Sequence, residues 1–460
     1  MYPWHQRLST WAEGTGLRID ALGLVTLLGA EEMDRVTGRL VPSHYLDYLP
    51  LLGAFVVAGN RFTSKQFGFT LYNISAGIVT TELAGWFSRW LRTQELRQVR
   101  SVITWEVVEH QRPSWWKSFL VGGLLVALPV HGMLIALTVL TADWWGLANV
   151  MAMIVSVVVR CILVAQNRAG IDANVSRAQQ QARDYNYPQK RDKYDETMMI
   201  LEKGREKNTQ QHQQHMAIPV APKDPYAIAK VIVVTDDSKA VTIAAPAYLI
   251  QSLFTTNPDV PNQGIYQATR FLGWVAFGVH VVTIGMSALY TQICTVVVML
   301  TATILSAFKV GCDDSYMGRR IWKAVMSRKR DDYEDENEAW SYTCWVGSRV
   351  KATVSSYPDW YSEWNEDERE PKLPQLMEVV EEKNGTRRAR AVLDLEPARP
   401  PPKKKKIAER RQDLYAWLGL TEEEETHMTA WGLMPRNREW MSAYFEKKMK
   451  HNNRMGHDGT

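Results

Sequence analysis

The sequence predicts a mainly α-helical, multispanning membrane protein with four spans and up to six. Three observations carry this reading. From Phe271 to Phe308 there are 38 residues without Asp, Glu, Lys or Arg. A single helix of that length would be about 57 Å long, against a hydrocarbon core about 30 Å thick. The run therefore reads as two spans, with a turn near Tyr290–Gln292. A second uncharged run goes from Ser118 to Ala142, is interrupted by Asp143, Trp144 and Trp145, and resumes to Val159. It has the same plan of span, polar turn and span. Finally, basic residues collect at the outer ends of both runs and are missing from both turns, the pattern of cytosolic ends.

Average composition hides these segments. The 460 residues are 46% hydrophobic and 23% charged, with 54 Lys and Arg against 50 Asp and Glu, a net charge of +4. Mean hydropathy is −0.26, a value typical of soluble proteins. Such a composition excludes a collagen-like chain, a small disulfide scaffold and a wholly disordered protein. The basic excess is also too small for a chain of this length that coats nucleic acid.

Residues 1–44 read as an N-terminal cytosolic segment. The first 20 residues mix Trp, His, Arg and Glu without an apolar centre, so the first internal span is expected to act as the targeting signal. Residues 45–90 would add a third membrane hairpin: Leu46–Gly59, which contains Pro50, and Phe67–Phe87, which carries Glu82, with Asn60–Gln66 between them. Residues 91–117 form a basic connector. Membrane hairpin 1 covers 118–166, with Arg160 placed to snorkel toward the headgroups. Trp86, Trp90, Trp115, Trp116, Trp144 and Trp145 fall at span ends, a zone that suits an apolar ring with one N–H donor.

Residues 167–269 are expected to be a cytosolic loop, with helices over Arg177–Tyr185 and near Glu196–Lys207. Its QQHQQH run, Gln210–His215, offers only two imidazoles and no thiol, so it reads as a linker and not a metal site. A β-hairpin over 230–245 follows, turning at Asp236–Lys239; its acid pair reads as turn chemistry. Pro246 ends the hairpin, and Ala247–Phe254 is a short helix. Membrane hairpin 2 covers 270–310. A charged and aromatic cytosolic segment, 311–396, leads to a Pro/Lys linker, 397–406, whose lysines would contact anionic lipid or solvent. Residues 407–460 form a helical segment with a Thr421/Glu424 capping box and with Trp440, Tyr444, Phe445 and Met449 at helical spacing.

The two hairpins align without a gap when Val130–His131 is set on Val279–His280. Val126, Ala127, Ile135 and Leu140 then match Val275, Ala276, Ile284 and Leu289, and Arg160 falls opposite Lys309. This would be a parallel repeat. It places His131 and His280 at similar depth on helices running the same way, and intramembrane ionisable residues are functional candidates. Packing against a neighbouring hydroxyl or carbonyl is the plainer role for each ring. Proton transfer or axial ligation of haem is the alternative, and otherwise no cofactor is expected.

The sequence contains no P-loop, Rossmann glycine fingerprint, GxSxG elbow, HExxH or CxxC. Cys161, Cys294, Cys312 and Cys344 are scattered, so disulfides are not expected. No catalytic or metal-ligating set is assigned. The expected function is a membrane scaffold or assembly factor that meets lipid through its spans and binds a protein partner, or a second copy of itself, through its cytosolic regions. One alternative is a transporter or channel using His131 and His280. Another is an intramembrane enzyme acting on a lipid or other apolar substrate, with Glu82, Asp143 or the histidines as acid–base groups.

Overall fold

The computed structural model describes residues 7, 10–11, 30–43, 45–51, 63–97, 99, 101–108, 122–185, 187–207, 224–312, 314–315, 340–356, 377–381, 387–391 and 407–457. It combines four helices long and apolar enough to cross a membrane with a seven-stranded sheet. In chain order the elements begin with α1 (Ala30–Gly38), β1 (Thr70–Asn73), β2 (Ile78–Thr80), α2 (Gly85–Thr93) and β3 (Ser101–Val107). The first apolar helix opens with a π-helical stretch, Gly123–Ala127, and continues as α3 (Leu128–Leu140). Pro129 has no amide hydrogen to donate back into that wide turn. Next come α4 (Trp144–Asp184), α5 (Tyr187–Lys207), β4 (Ile228–Val234) and β5 (Ala240–Pro246). The second apolar pair is α6 (Gln263–Met286) and α7 (Leu289–Ala307). The remaining elements are β6 (Trp340–Val346), β7 (Val350–Ser356), β8 (Met377–Glu381), β9 (Arg387–Ala391), α8 (Ile407–Trp417), α9 (Glu422–Ala430) and α10 (Arg438–His457).

Large apolar side chains on the four long helices point outward, among them Leu124, Leu128, Met133, Phe271, Val275, Val282 and Ile304. An exposed apolar surface of this extent suits lipid and not water. The second break falls at Ser287–Ala288, just before the turn expected from sequence, because Tyr290–Gln292 already belong to α7. Asp143 joins the two turns. One carboxylate oxygen caps α4 by accepting from the Gly146 amide (2.9 Å), and the other accepts from the Ala288 amide (3.0 Å). Both turns therefore lie at the same end of the bundle, and the two hairpins run parallel.

The sheet order is β2-β1-β4-β5-β3-β7-β6, antiparallel except for the β3/β5 pair. Its strands come from three stretches of chain: before the first apolar hairpin, between the two hairpins, and after the second. Strand periodicity explains how β4 can be apolar on both faces. Ala229, Val231 and Val233 enter the main core, while Ile232 and Val234 meet the C-terminal helices. The main core holds Trp86, Phe87, Trp90, Trp105 and Phe254, all at most 1% exposed. Phe87 and Phe254 stack with ring centroids 4.5 Å apart, and Trp90 lies 4.9 Å from Trp105. Such ring pairs add about 0.5–1.5 kcal/mol each beyond area burial.

Several sequence expectations are corrected by this sheet. Phe67–Phe87, read as a further span, is instead the β1–β2 hairpin and the start of α2. Its apolar residues are balanced by strand partners far along the chain. Trp86 and Trp90 are core residues of the sheet layer and not interface anchors, whereas Trp144 and Trp145 remain exposed at the turn end. The 230–245 hairpin is present, but as two of seven strands. Residues 340–356, expected to be part of a charged tail, supply β6 and β7. The helix expected at Arg177–Tyr185 is the end of α4. At 41 residues, α4 is about 60 Å long, twice the hydrocarbon thickness. Its later turns, including Leu163, Ile171 and Val175, pack in the sheet's core.

The C-terminal helices cover the opposite face. The expected Thr421/Glu424 capping box is formed. Glu424 also accepts from Lys230 Nζ and Ser75 Oγ, both at 3.0 Å, which ties α9 to β4 and to the β1–β2 turn. Burial pushes the Glu424 carboxyl up, but the Thr421 amide and Lys230 outweigh it and hold it below the usual range. Of the aromatic series on α10, Tyr444 is buried and Trp440 stacks on it, while Phe445 and Met449 are exposed. Trp115, Trp116, Trp360, Trp364, residues 52–62 and the 397–406 linker lie outside the described residues.

A Cβ added at Gly146 would lie 2.7 Å from the Thr291 methyl and 2.4 Å from an Asp143 oxygen, whereas one at Gly278 would meet nothing within 4 Å. Gly146→Ala should therefore cost about 1–3 kcal/mol, and Gly278→Ala should be neutral or slightly stabilising. Thermal unfolding of the two variants in the same detergent checks the contrast.

Candidate functional site: a buried charged junction

The densest polar network lies where the apolar helices meet the sheet. It begins with residues 39–43 and 45–49, which wrap α4 as a strap. Leu40 takes a left-handed φ of 59°, which turns its carbonyl and that of Val41 toward α4. Arg168 Nε donates to the Leu40 carbonyl (2.8 Å) and Nη2 to that of Val41 (2.9 Å). Both terminal nitrogens of Arg168 reach Asp47 Oδ2 at 3.2 Å. Two turns earlier on α4, Arg160 Nη2 donates to the carbonyls of Leu46, Asp47 and Leu49 at 3.2, 2.9 and 2.6 Å. Arg160 is only 3% exposed. The strap's carbonyls hold it in the interior, so it does not snorkel to the surface.

The second half of the junction centres on Asp314, which follows α7. Its carboxylate pairs with Arg39, and both side chains are essentially inaccessible. Gln94 Nε2, just beyond α2, donates to the same oxygen (3.1 Å), and Gln94 Oε1 accepts from Tyr342 OH on β6 (2.8 Å). Lys309 Nζ stands 3.6 Å from Asp314 and donates to the Thr93 carbonyl. Arg39 Nη2 lies 3.0 Å from Cys312 Sγ. Burial pushes the Asp314 carboxyl up, but Arg39 and Lys309 outweigh it and hold it below the ordinary range. Burial pulls Arg39 down, and Asp314 more than reverses this, so the guanidinium stays charged. Burial raises the Cys312 thiol, which keeps it protonated and unreactive.

The residues singled out from sequence make no hydrogen bond within this junction, although His131 lies within electrostatic reach of Arg160. His131 is buried, with Nδ1 2.8 Å from the Ala127 carbonyl of its own helix; its Nε2 has no partner among the described residues. His280 is also buried, and neither ring nitrogen has a hydrogen-bond partner there. No hydrogen bond therefore joins the two rings. Asp143 caps α4 at the turn end of the bundle, whereas Glu82, exposed near the sheet, pairs with Lys65 at 2.9 Å. These two acids do not share a site. Asp237 pairs within the turn with Lys239 (2.6 Å), whereas Asp236 reaches out of it to Arg92 on α2 (2.6 Å). The QQHQQH run lies outside the described residues. The four cysteines are free. Among the described residues no three His, Cys, Asp or Glu side chains converge to hold a metal ion.

Nothing in the sequence marked Arg39, Gln94 and Asp314 as partners, since 275 positions separate the ion pair. The usable signal was Arg160, an arginine inside an otherwise apolar run. Comparison of the chain with protein families, with curated proteins and with solved structures gives no match.

Asp314→Asn leaves the buried Arg39 charge without its counter-ion and should cost about 3–5 kcal/mol, whereas Arg39→Met combined with Asp314→Leu should recover most of that loss. Thermal unfolding of the three proteins in detergent, compared with the unsubstituted chain, measures both effects.

Proposed function

We propose that the chain is a multi-pass membrane scaffold or assembly factor, with its sheet layer, α5 and C-terminal helices in the cytosol. The orientation rests on the basic ends of both hairpins, among them Arg168, Arg177, Arg183 and Arg270, against turns that carry no Lys or Arg. The observation that carries the scaffold reading is α5. Among its described side chains, Tyr187 to Met199, none is buried. The contacts described for it are local: Arg191 donates to Tyr187 OH (3.3 Å) and stands 3.9 Å from Asp195, and Lys190 sits over the Tyr185 ring. Contacts of this kind contribute a few tenths of a kcal/mol each, too little to hold a solitary helix of this length firmly. A partner protein, or α5 of a second copy, supplies the missing surface. The rigid α4 rod delivers α5 to it from the membrane.

Two measurements test this. In sealed vesicles with the cytosolic face outward, added protease should cleave within the chain after Gly311 and leave the Asp143 turn protected; protection of the later region would invert the orientation. After gentle detergent extraction, the protein should run as a stoichiometric complex or self-oligomer that is lost when residues 187–207 are deleted. A lone monomer before and after the deletion would count against the scaffold reading.

A further inference from the structure

A small, partly open cavity of about 10 Å³ lies between the strap, α1, α4 and α7, space for the centre of one water-sized particle. Its polar lining includes Arg39, Arg160, Arg168, Asp47 and Ser306. Two of these groups are buried with hydrogen-bonding atoms that no described residue meets. They are Arg160, through Nε and Nη1, and Ser306, through its hydroxyl. Arg160 is 3% exposed and Ser306 2%. They belong to different helices, α4 and α7, and face the same space.

Among the described residues the charges around the cavity do not balance. Arg39 is matched by Asp314 and Arg168 by Asp47. Among the described residues Arg160 hydrogen-bonds only to three carbonyls, and the one carboxylate that it feels, Asp47, is bound by Arg168 and so shared between two guanidinium groups. A buried guanidinium without a carboxylate of its own is costly, and a water in the cavity would satisfy hydrogen bonds without supplying charge. A phosphate or carboxylate is too large for a space of one water. We propose that this cavity binds a single small monovalent anion, chloride in size and charge, held by Arg160 and Ser306. The anion would complete the joint between strap, α4 and α7. This proposal does not depend on the scaffold reading.

The test uses the full chain in detergent, with chloride replaced stepwise by gluconate at constant ionic strength. Thermal stability should rise saturably with chloride, and bromide should reproduce the effect. Arg160→Gln should abolish the response. Ser306→Ala, which removes one hydroxyl and keeps the fold if Arg160→Gln does not, should raise half-saturating chloride about tenfold or more. In crystals grown with bromide, an anomalous peak should lie between Arg160 and Ser306 in the unsubstituted protein. Equal stability in chloride and gluconate, an unchanged response in Ser306→Ala, stabilisation by phosphate alone, or no bromide peak would each overturn the proposal.

Discussion

A guanidinium taken out of water must be met by acceptors, and Arg39, Arg160 and Arg168 are met by groups drawn from several distant parts of the chain. The strap supplies carbonyls and Asp47, and the chain beyond α7 supplies Asp314, whose carboxylate also accepts from Gln94 at the end of α2, which Tyr342 on β6 steadies in turn. Desolvation makes these contacts mandatory. A strap displaced from α4 would strand two positive charges, and an α7 displaced from the sheet would strand Arg39. The junction therefore fixes how the apolar bundle sits on the sheet.

That joint makes α4 a mechanical link between the apolar bundle and the sheet. One face of its first half packs with α3, α6 and α7, and its second half enters the core of the sheet. Asn149 reaches Thr295 on α7, and Asn167 reaches Tyr266 on α6, so polar contacts recur along its length. A helix continuous through both layers transmits rotation better than a loop would. This suits a protein whose exposed α5 is carried at the far end of the same rod.

Much of the apolar half was legible in the sequence, because a span announces itself by composition within one window. The two hairpins near 118–166 and 270–310, the Asp143 turn and the capping box at Thr421 all depend on neighbours close in the chain. The sheet does not. Phe67–Phe87 looks like a polar-spotted span when read alone, since its balancing partners are Val231–Val234 on β4, about 160 residues later. Trp86 and Trp90 carry the same local signature as Trp144 and Trp145; only the position of Trp105 and Phe254 in space separates core from surface. The junction was the least legible of all, because a charge in sequence does not name its counter-ion.

The order of the strands also sets an order of manufacture. β3 lies between β5 and β7, yet β5 is synthesised after the first apolar hairpin and β7 after the second. At about 5–20 residues per second, the ribosome needs roughly ten to fifty seconds to travel from Val107 to Val350. During that interval one edge of β3 has no strand to pair with, and, with the membrane topology proposed above, it gains both neighbours only if all three segments arrive on the same side of the bilayer. On that reading a complete sheet requires both hairpins to be inserted with matching orientation. A chain that threads one of them wrongly keeps an open strand edge, the kind of surface that quality-control chaperones and proteases bind.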